Sequence, residues 1–252
     1  MIESSMKKFI HHSASSKKAL QIAQMSSSLP VNVLISGDIG VGKKLLCKEI
    51  TQNAESFDAL ELEQLIQQQK IDLQSYSIIV AYNIDKLLNK KQFFQNITSI
   101  RLIATSSLEY NDRQNNFPVK IELEPLSKRK NDLIELTKFY TEEANKIYLC
   151  DKTAKDIEVD ISENGISLKK SIYKSILFNS MSKDEMMNAL YNYFINELTK
   201  GTKSYKELLE IFEVPLIKAS KNIYKSQVQM AKNLDINRIT LRKKIDTYFE
   251  SI

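Results

Sequence analysis

The chain has little of what builds metal centres, disulfides or membrane spans. Among its 252 residues there are two cysteines and two histidines. Cys47 and Cys150 are far apart and match no metal-ligand spacing, so both read as reduced structural thiols. His11 and His12 sit side by side in a polar amino-terminal segment with no cysteine or carboxylate cluster near them, which argues against metal or catalytic use. No run approaches the roughly 18 apolar residues of a membrane span. The amino terminus MIESSMKKFIHH also lacks the apolar core of a signal peptide. These absences predict a cytoplasmic protein with no membrane partner. Glycine is scarce too, five in all, and three of the five fall between positions 37 and 42.

What is present is an ordinary globular composition, 42% hydrophobic and 27% charged, enough for one or two domains plus a small one. Charge is unevenly placed. Residues 182–252 hold 12 Lys and Arg against 9 Asp and Glu, leaving 24 against 22 for everything upstream. Within 225–247 the balance is 6 to 2. A basic tail on a near-neutral body points to a nucleic-acid module attached to something else.

The body reads as alternating strands and helices. SASSKKALQIAQMSSSLP predicts a helix with Ala19, Leu20, Ile22, Ala23 and Met25 available for burial, and VNVLIS (31–36) predicts a buried parallel strand. That strand runs into GDIGVGKK, in which Gly37, Gly40, Gly42 and Lys43 satisfy G-x-x-x-x-G-K. A helix, KLLCKEITQNA, follows, and this context makes a phosphate-binding loop credible. Its N–H groups and Lys43 would meet phosphates, with Asp38 and Lys44 completing the nucleotide-binding set and ATP or ADP as the ligand. The hydroxyl that normally follows the lysine and holds magnesium is replaced by Lys44. The next apolar strand, SIIVAYNID (77–85), ends in Tyr82 and Asn83 instead of acidic residues, with Asp85 beyond it. Those losses argue against magnesium and against hydrolysis.

At the other end, KSQVQMAKNLDINRITLRKKIDT (225–247) predicts a helix-turn-helix. Val228, Met230, Ala231 and Leu234 form an apolar face on its first helix, Asp235 marks the turn, and Leu241, Ile245 and Tyr248 continue that face on the second. The opposite face carries Asn237, Arg238, Arg242 and Lys243, with Arg238 and Arg242 one turn apart and able to reach one groove. Lys225, Lys232 and Lys244 are candidate phosphate contacts, and Gln227 and Thr240 join the DNA-facing set. Upstream, Ser182 and Glu185 form a capping box for DEMMNALYNYFINELT, whose Met186, Leu190, Tyr193, Phe194 and Leu198 exceed what a solvated linker needs, and Gly201 ends it. A second helix, about 204–222, presents Tyr205, Leu208, Leu209, Phe212, Leu216 and Ile217, with Pro215 marking a kink or a boundary. Two such faces predict a homodimer through 182–222.

NLDINRITLRKKIDTYF resembles the carboxy-terminal segment of the factor for inversion stimulation (Fis) and of enhancer-binding activators that share its DNA-binding domain. The resemblance extends over 182–252 and implies a dimer presenting two recognition helices. Asp235 stands where that family has a turn glycine, and Val228 lacks a hydroxyl for phosphate. The body resembles the AAA+ module of nitrogen-regulator-type activators, in which a Glu usually follows the loop lysine. RLIATSS (101–107) is similar to the sensor I strand, with Ser107 at its polar position. VKIELEPLSKRKNDLIELTKFYTEEANK (119–146) resembles the strand and opening of the helical lid. NGISLKKSIYKSILF (164–178) is similar to the sensor II helix, with Ser167 about where its arginine should be. EYNDRQNNFPVK is shorter than the arginine-finger region, leaving Arg113 as a weak candidate. The stretch 55–77 has no glycine and no room for the loop that engages the nitrogen-type sigma factor.

The expectation is therefore an α/β P-loop AAA+ parallel sheet over 1–124, a helical lid over 125–181 and an all-α Fis-type domain over 182–252. Its function is expected to be dimeric, sequence-specific DNA-binding regulation near the nucleoid. Double-stranded DNA and RNA polymerase are the expected partners, and the nitrogen-type sigma factor is not one. The alternatives are an active AAA+ ATPase that remodels a transcription or replication complex and an architectural protein that bends DNA.

Overall fold

A buried parallel strand needs apolar residues on both faces, and VLIS supplies them: Val33 and Ile35 face one side of the sheet, Leu34 the other. In this computed structural model, which describes residues 8–108, 110–111, 115–151, 153, 157–201 and 203–249, the chain forms two compact units, Met1–Ser180 and Met181–Ile252.

The first unit opens with α1 (Ala14–Ser27), β1 (Val33–Gly37), α2 (Lys43–Ile50), β2 (Glu55–Asp58) and α3 (Ala59–Gln67). It continues with β3 (Ile78–Tyr82), α4 (Lys90–Asn96), β4 (Arg101–Ser106), β5 (Val119–Leu123), α5 (Lys130–Tyr148) and α6 (Gly165–Ser180). The sheet is parallel in the order β2-β3-β4-β1-β5, which puts β1 and its following loop between β4 and β5. Helices α1 and α2 cover one face through Ala19, Leu20, Ala23, Leu46 and Cys47. Helices α3 and α4 cover the other through Ala59, Leu62 and Phe93. Helices α5 and α6 pack on each other through Leu136, Tyr140, Leu168, Ile172 and Ile176.

Three details of the first unit differ from the sequence reading. Met25 is 66% exposed, and the small residues Ser16 and Ser26 fill its place on the buried side of α1. The helix after the glycine loop stops at Ile50, where Thr51 turns extended, so residues 51–54 of KLLCKEITQNA are not helical. Residues 55–58 add an edge strand that their short, half-polar run did not signal.

The first unit is tied together by a buried polar network. Arg129 and Asp132, both out of solvent, pair at 2.7 Å. The same guanidinium donates to the carbonyls of Val41 (2.9 Å) and Ile10 (3.3 Å) and lies on the Phe9 ring. Asp132 accepts from the backbone amides of Ser13 and His12. Glycine loop, amino-terminal segment and start of α5 thus converge on one ion pair.

The second unit contains α7 (Lys183–Lys200), α8 (Tyr205–Ile223), α9 (Gln227–Asn233) and α10 (Arg238–Phe249). Its core is Ile217, Met230, Ala231, Leu241 and Ile245. Capping boxes at Ser182/Glu185 and Ser204/Glu207 open the first two helices, and left-handed Gly201 closes α7. Pro215 marks neither end of α8, since Ile217 and Ser220 beyond it are buried and hold the helix in place. Val228 is 55% exposed and leaves the apolar face of α9 to Met230 and Ala231. No helix among the described residues is long and apolar enough to cross a membrane.

Removing one partner of a buried pair strands the other's charge. Arg129→Ala or Asp132→Asn should therefore lower the stability of the first unit by about 3–5 kcal/mol in urea denaturation. Burial alone would raise the Asp132 carboxyl, but hydrogen bonds from Ser16, Ser13 and Arg129 outweigh it and hold it below the usual range. That contribution is present above the unfolded carboxylate value near about 4 and is lost as pH falls through the lower folded value. A loss below about 1 kcal/mol in both variants would show the network to be dispensable.

Candidate nucleotide pocket and nucleic-acid interface

Strand β1 delivers the glycine loop to the carboxyl end of the sheet, the edge where ligands of open α/β folds bind. Gly40 (φ +77°) and Gly42 (φ +105°) both adopt left-handed backbone, and Gly42 starts α2 from there. At Gly40 space is also decisive, because a Cβ would fall 2.1 Å from the Glu163 carbonyl oxygen. The loop is held from the lid side as well. Gly165 N–H donates to the Gly40 carbonyl (3.0 Å) and the Asn164 amide to that of Ile39 (2.9 Å), while Asn164 Oδ1 accepts from Leu126 N–H (2.7 Å).

A cavity of about 650 Å³ opens over this loop. Residues 39–45 form its floor, Asn83 and Thr105 its sheet edge, and Tyr140, Ile166, Lys169, Lys170 and Tyr173 its lid wall. Lys43 Nζ donates to the carbonyls of Gly37 and Asp38, the latter at 2.8 Å. Burial holds its pKa below the ordinary lysine value, opposed by the charges of Asp85 and Asp38. Lys44 Nζ sits 4.4 Å from the centre of the Tyr82 ring. Burial pushes the Cys47 thiol up to about 12, which makes it a packing residue and no nucleophile.

The remaining candidates of this unit fall as follows. Asn83 is left-handed and spends its donors internally, its backbone N–H on Thr105 Oγ1 (3.1 Å) and its side chain on Asp58 (2.8 Å). Asp85 accepts from Ser107 N–H (3.0 Å), so Ser107 serves the loop after β4, and Thr105 is the β4 residue that meets the cavity. Ser167 is buried and bonded to Glu163 N–H and the Asp160 carbonyl. It is not the lid residue that faces the cavity; Ile166, Lys169 and Lys170 are. Lys169 pairs with Glu143 at 3.3 Å and lies near the Tyr140 and Tyr173 rings. These lid lysines were legible as charge in SLKKS but not as facing a cavity, because the helical phase depends on where α6 begins. Arg113 lies outside the described residues.

In the second unit, α9 and α10 are joined by a turn at Asp235 (φ +50°), closed by Ile236 N–H to the Ala231 carbonyl (3.1 Å). Leu241 and Ile245 enter the core, which leaves Arg238, Thr240, Arg242 and Lys243 exposed. Lys225, Gln227 and Lys232 are exposed too. Arg242, though exposed, lies 4.0 Å from Asp246 one turn on, and two further expected DNA contacts are more firmly engaged. Lys244 is half-buried and paired with Glu213, which also accepts from Tyr248 Oη (2.7 Å). Asn237 Oδ1 accepts Ile239 N–H (2.8 Å) and caps α10, so pairing bidentately with adenine would cost that cap. Ile239 is 67% exposed beside Arg238, an exposed apolar side chain that the basic residues had masked in the sequence.

No protein-family model matches this sequence, and no curated protein does. Solved structures do. The chain superposes on NtrX from Brucella abortus in complex with ATP with a TM-score of 0.53 at 12% identity, over 96% of this chain and 69% of that one. With NtrX in complex with ADP the TM-score is 0.59 at the same identity and coverage. A further NtrX crystal structure gives 0.57 at 12%, over 94% and 68%. Parallel sheet, glycine loop and helical lid together make this the AAA+ fold.

Gly40→Ala should push segment 163–165 off the loop. Amide exchange at Gly165 and Ile166 is expected to accelerate about tenfold or more, as an interaction worth about 1.4 kcal/mol is removed. Unchanged exchange there would mean that the lid is not held by the loop.

Proposed function

We propose that this chain is a sequence-specific DNA-binding transcriptional regulator, dimeric through α7 and α8, whose AAA+ unit binds ATP or ADP without turning it over. The observation that carries the DNA-binding reading is the division of α10. Leu241 and Ile245 are anchored in the core, so Arg238, Arg242 and Lys243 stand fully outward on one rigid helix. Arginine in the major groove reads guanine, and Ile239 beside it offers an apolar surface to a thymine methyl. Lys225 and Lys232 fit phosphate contacts, which add affinity without sequence information.

Helix α7 supports the dimer. Its buried residue is Glu197, which Lys200 and Lys203 hold down to about 2, while Met187, Tyr191, Ile195 and Leu198 are 44–63% exposed. Tyr205, Phe212 and Ile223 of α8 are exposed as well. A helix of this length with no apolar interior of its own needs a partner surface. The non-hydrolysing reading rests on Tyr82 and Asn83, where acidic residues would hold a metal and orient water. A nitrogen-type sigma factor finds no loop to engage, which leaves RNA polymerase or DNA shape as the route to an effect on transcription, and the cytoplasm and nucleoid as the place of action.

One observation favours a second reading, an active ATPase: Asp85 lies near enough to Lys43 to oppose the loss of its charge. Phosphate release above that of a Lys43→Ala control would establish it. The DNA reading is tested by fluorescence anisotropy on duplexes selected from a genome-wide binding map. Arg242→Ala should cost about 1–3 kcal/mol on selected sites and little on random duplex. Lys225→Ala should weaken both alike and reduce the salt slope by about one. Lys244→Ala should instead destabilise the second unit, because its charge is spent on Glu213. Equal losses on every sequence for Arg242→Ala would remove base readout.

A further inference from the structure

We infer that the loop cavity takes its nucleoside di- or triphosphate as the free polyanion, with lysines in place of a divalent cation. The inference rests on the nucleotide-binding reading above and adds the form in which the ligand binds.

The donor set around the cavity does not suit magnesium. That ion demands near-octahedral oxygen coordination, usually from one or two carboxylates and a hydroxyl together with the phosphates. No carboxylate lines the cavity among the described residues, and no group of three or more His, Cys, Asp or Glu is placed to hold a metal. The position after Lys43, where a hydroxyl or a carboxylate would serve, carries an ammonium. Its tip lies against the Tyr82 ring at the end of β3, the ground a metal and its acidic ligand would share. Thr105 Oγ1 already accepts Asn83 N–H. Asp85 holds Ser107 N–H and faces Lys43 from outside the cavity wall.

What the wall supplies is positive charge on two sides. Lys43 and Lys44 rise from the start of α2, and Lys169 and Lys170 come from α6. Lys169 is balanced by Glu143, and Lys43 is partly balanced by Asp38 and Asp85. Lys44, resting on the neutral Tyr82 ring, and Lys170, near the exposed Asp160 carboxylate, are the two outside any ion pair among the described residues, and Lys170 is exposed on a flexible stem that can close on a phosphate. Together they carry the two charges a magnesium ion would have brought. A cation entering beside Lys44 would be repelled in a half-enclosed space where screening is weak.

The test is calorimetric titration of ADP into the full chain, once with excess magnesium chloride and once with EDTA, at matched ionic strength. The affinity in EDTA is expected to equal or exceed that in magnesium. Lys170→Ala should weaken binding in EDTA by about three- to tenfold, and Lys44→Thr should weaken it by about tenfold while creating a dependence on magnesium. Binding by the unaltered chain that weakens about tenfold or more in EDTA would overturn this inference alone. Absence of binding in both buffers would overturn it together with the nucleotide reading. Because the decisive comparison uses the unaltered chain, it does not depend on either variant folding.

Discussion

The carbonyls of the glycine loop are the constraint on which the first unit depends. Backbone carbonyls are satisfied by donors wherever water is kept out, and here three consecutive loop carbonyls find donors outside the loop. Ile39 takes the Asn164 amide, Gly40 takes Gly165 N–H, and Val41 takes the Arg129 guanidinium. With those carbonyls bonded to protein, the loop's N–H groups would be left for an anion on the proposed reading. Arg129 can do this only because Asp132 compensates its charge, and Asp132 in turn fixes the amides of His12 and Ser13. A buried ion pair is thus the hinge between the chain's entry, its phosphate loop and its lid.

On the proposed reading, the same economy of charge would separate binding from turnover. Around the cavity cations are plentiful and carboxylates are set back behind Lys43 or Lys169, an arrangement suited to holding an anion and poorly suited to placing a metal or polarising water. In the second unit the logic is reversed. Charge that could meet DNA stands exposed on one side of α10, with Arg242 held only loosely by Asp246, while Lys244 is drawn inward to Glu213, which Tyr248 also meets. The fixed helix presents its arginines at a defined angle, which base-edge contacts require.

Much of this was legible in the sequence because it rests on local rules. The glycine spacing after VLIS announced the loop, the capping box at Ser182 announced α7, the apolar spacing from Tyr205 to Ile217 announced α8, and Asp235 announced the turn. What stayed hidden depends on contacts remote in sequence. The run KRKND looks like a solvated charged stretch, yet it contains the buried Arg129 and Asp132. Ser167 stood about where the sensor arginine is expected, but the start of α6 at Gly165 sets a helical phase that turns Lys169 and Lys170 to the cavity instead. Lys244 looked like a phosphate contact because Glu213, its partner, lies on a different helix.

The central claim is a pair of recognition helices held at a fixed separation by uncovered faces on α7 and α8. Sedimentation of the purified chain, alone and with duplex DNA in dilute salt, tests it most directly. The predicted result is a species of twice the single-chain mass that co-sediments with the duplex. A monomer that leaves the duplex unshifted would contradict it.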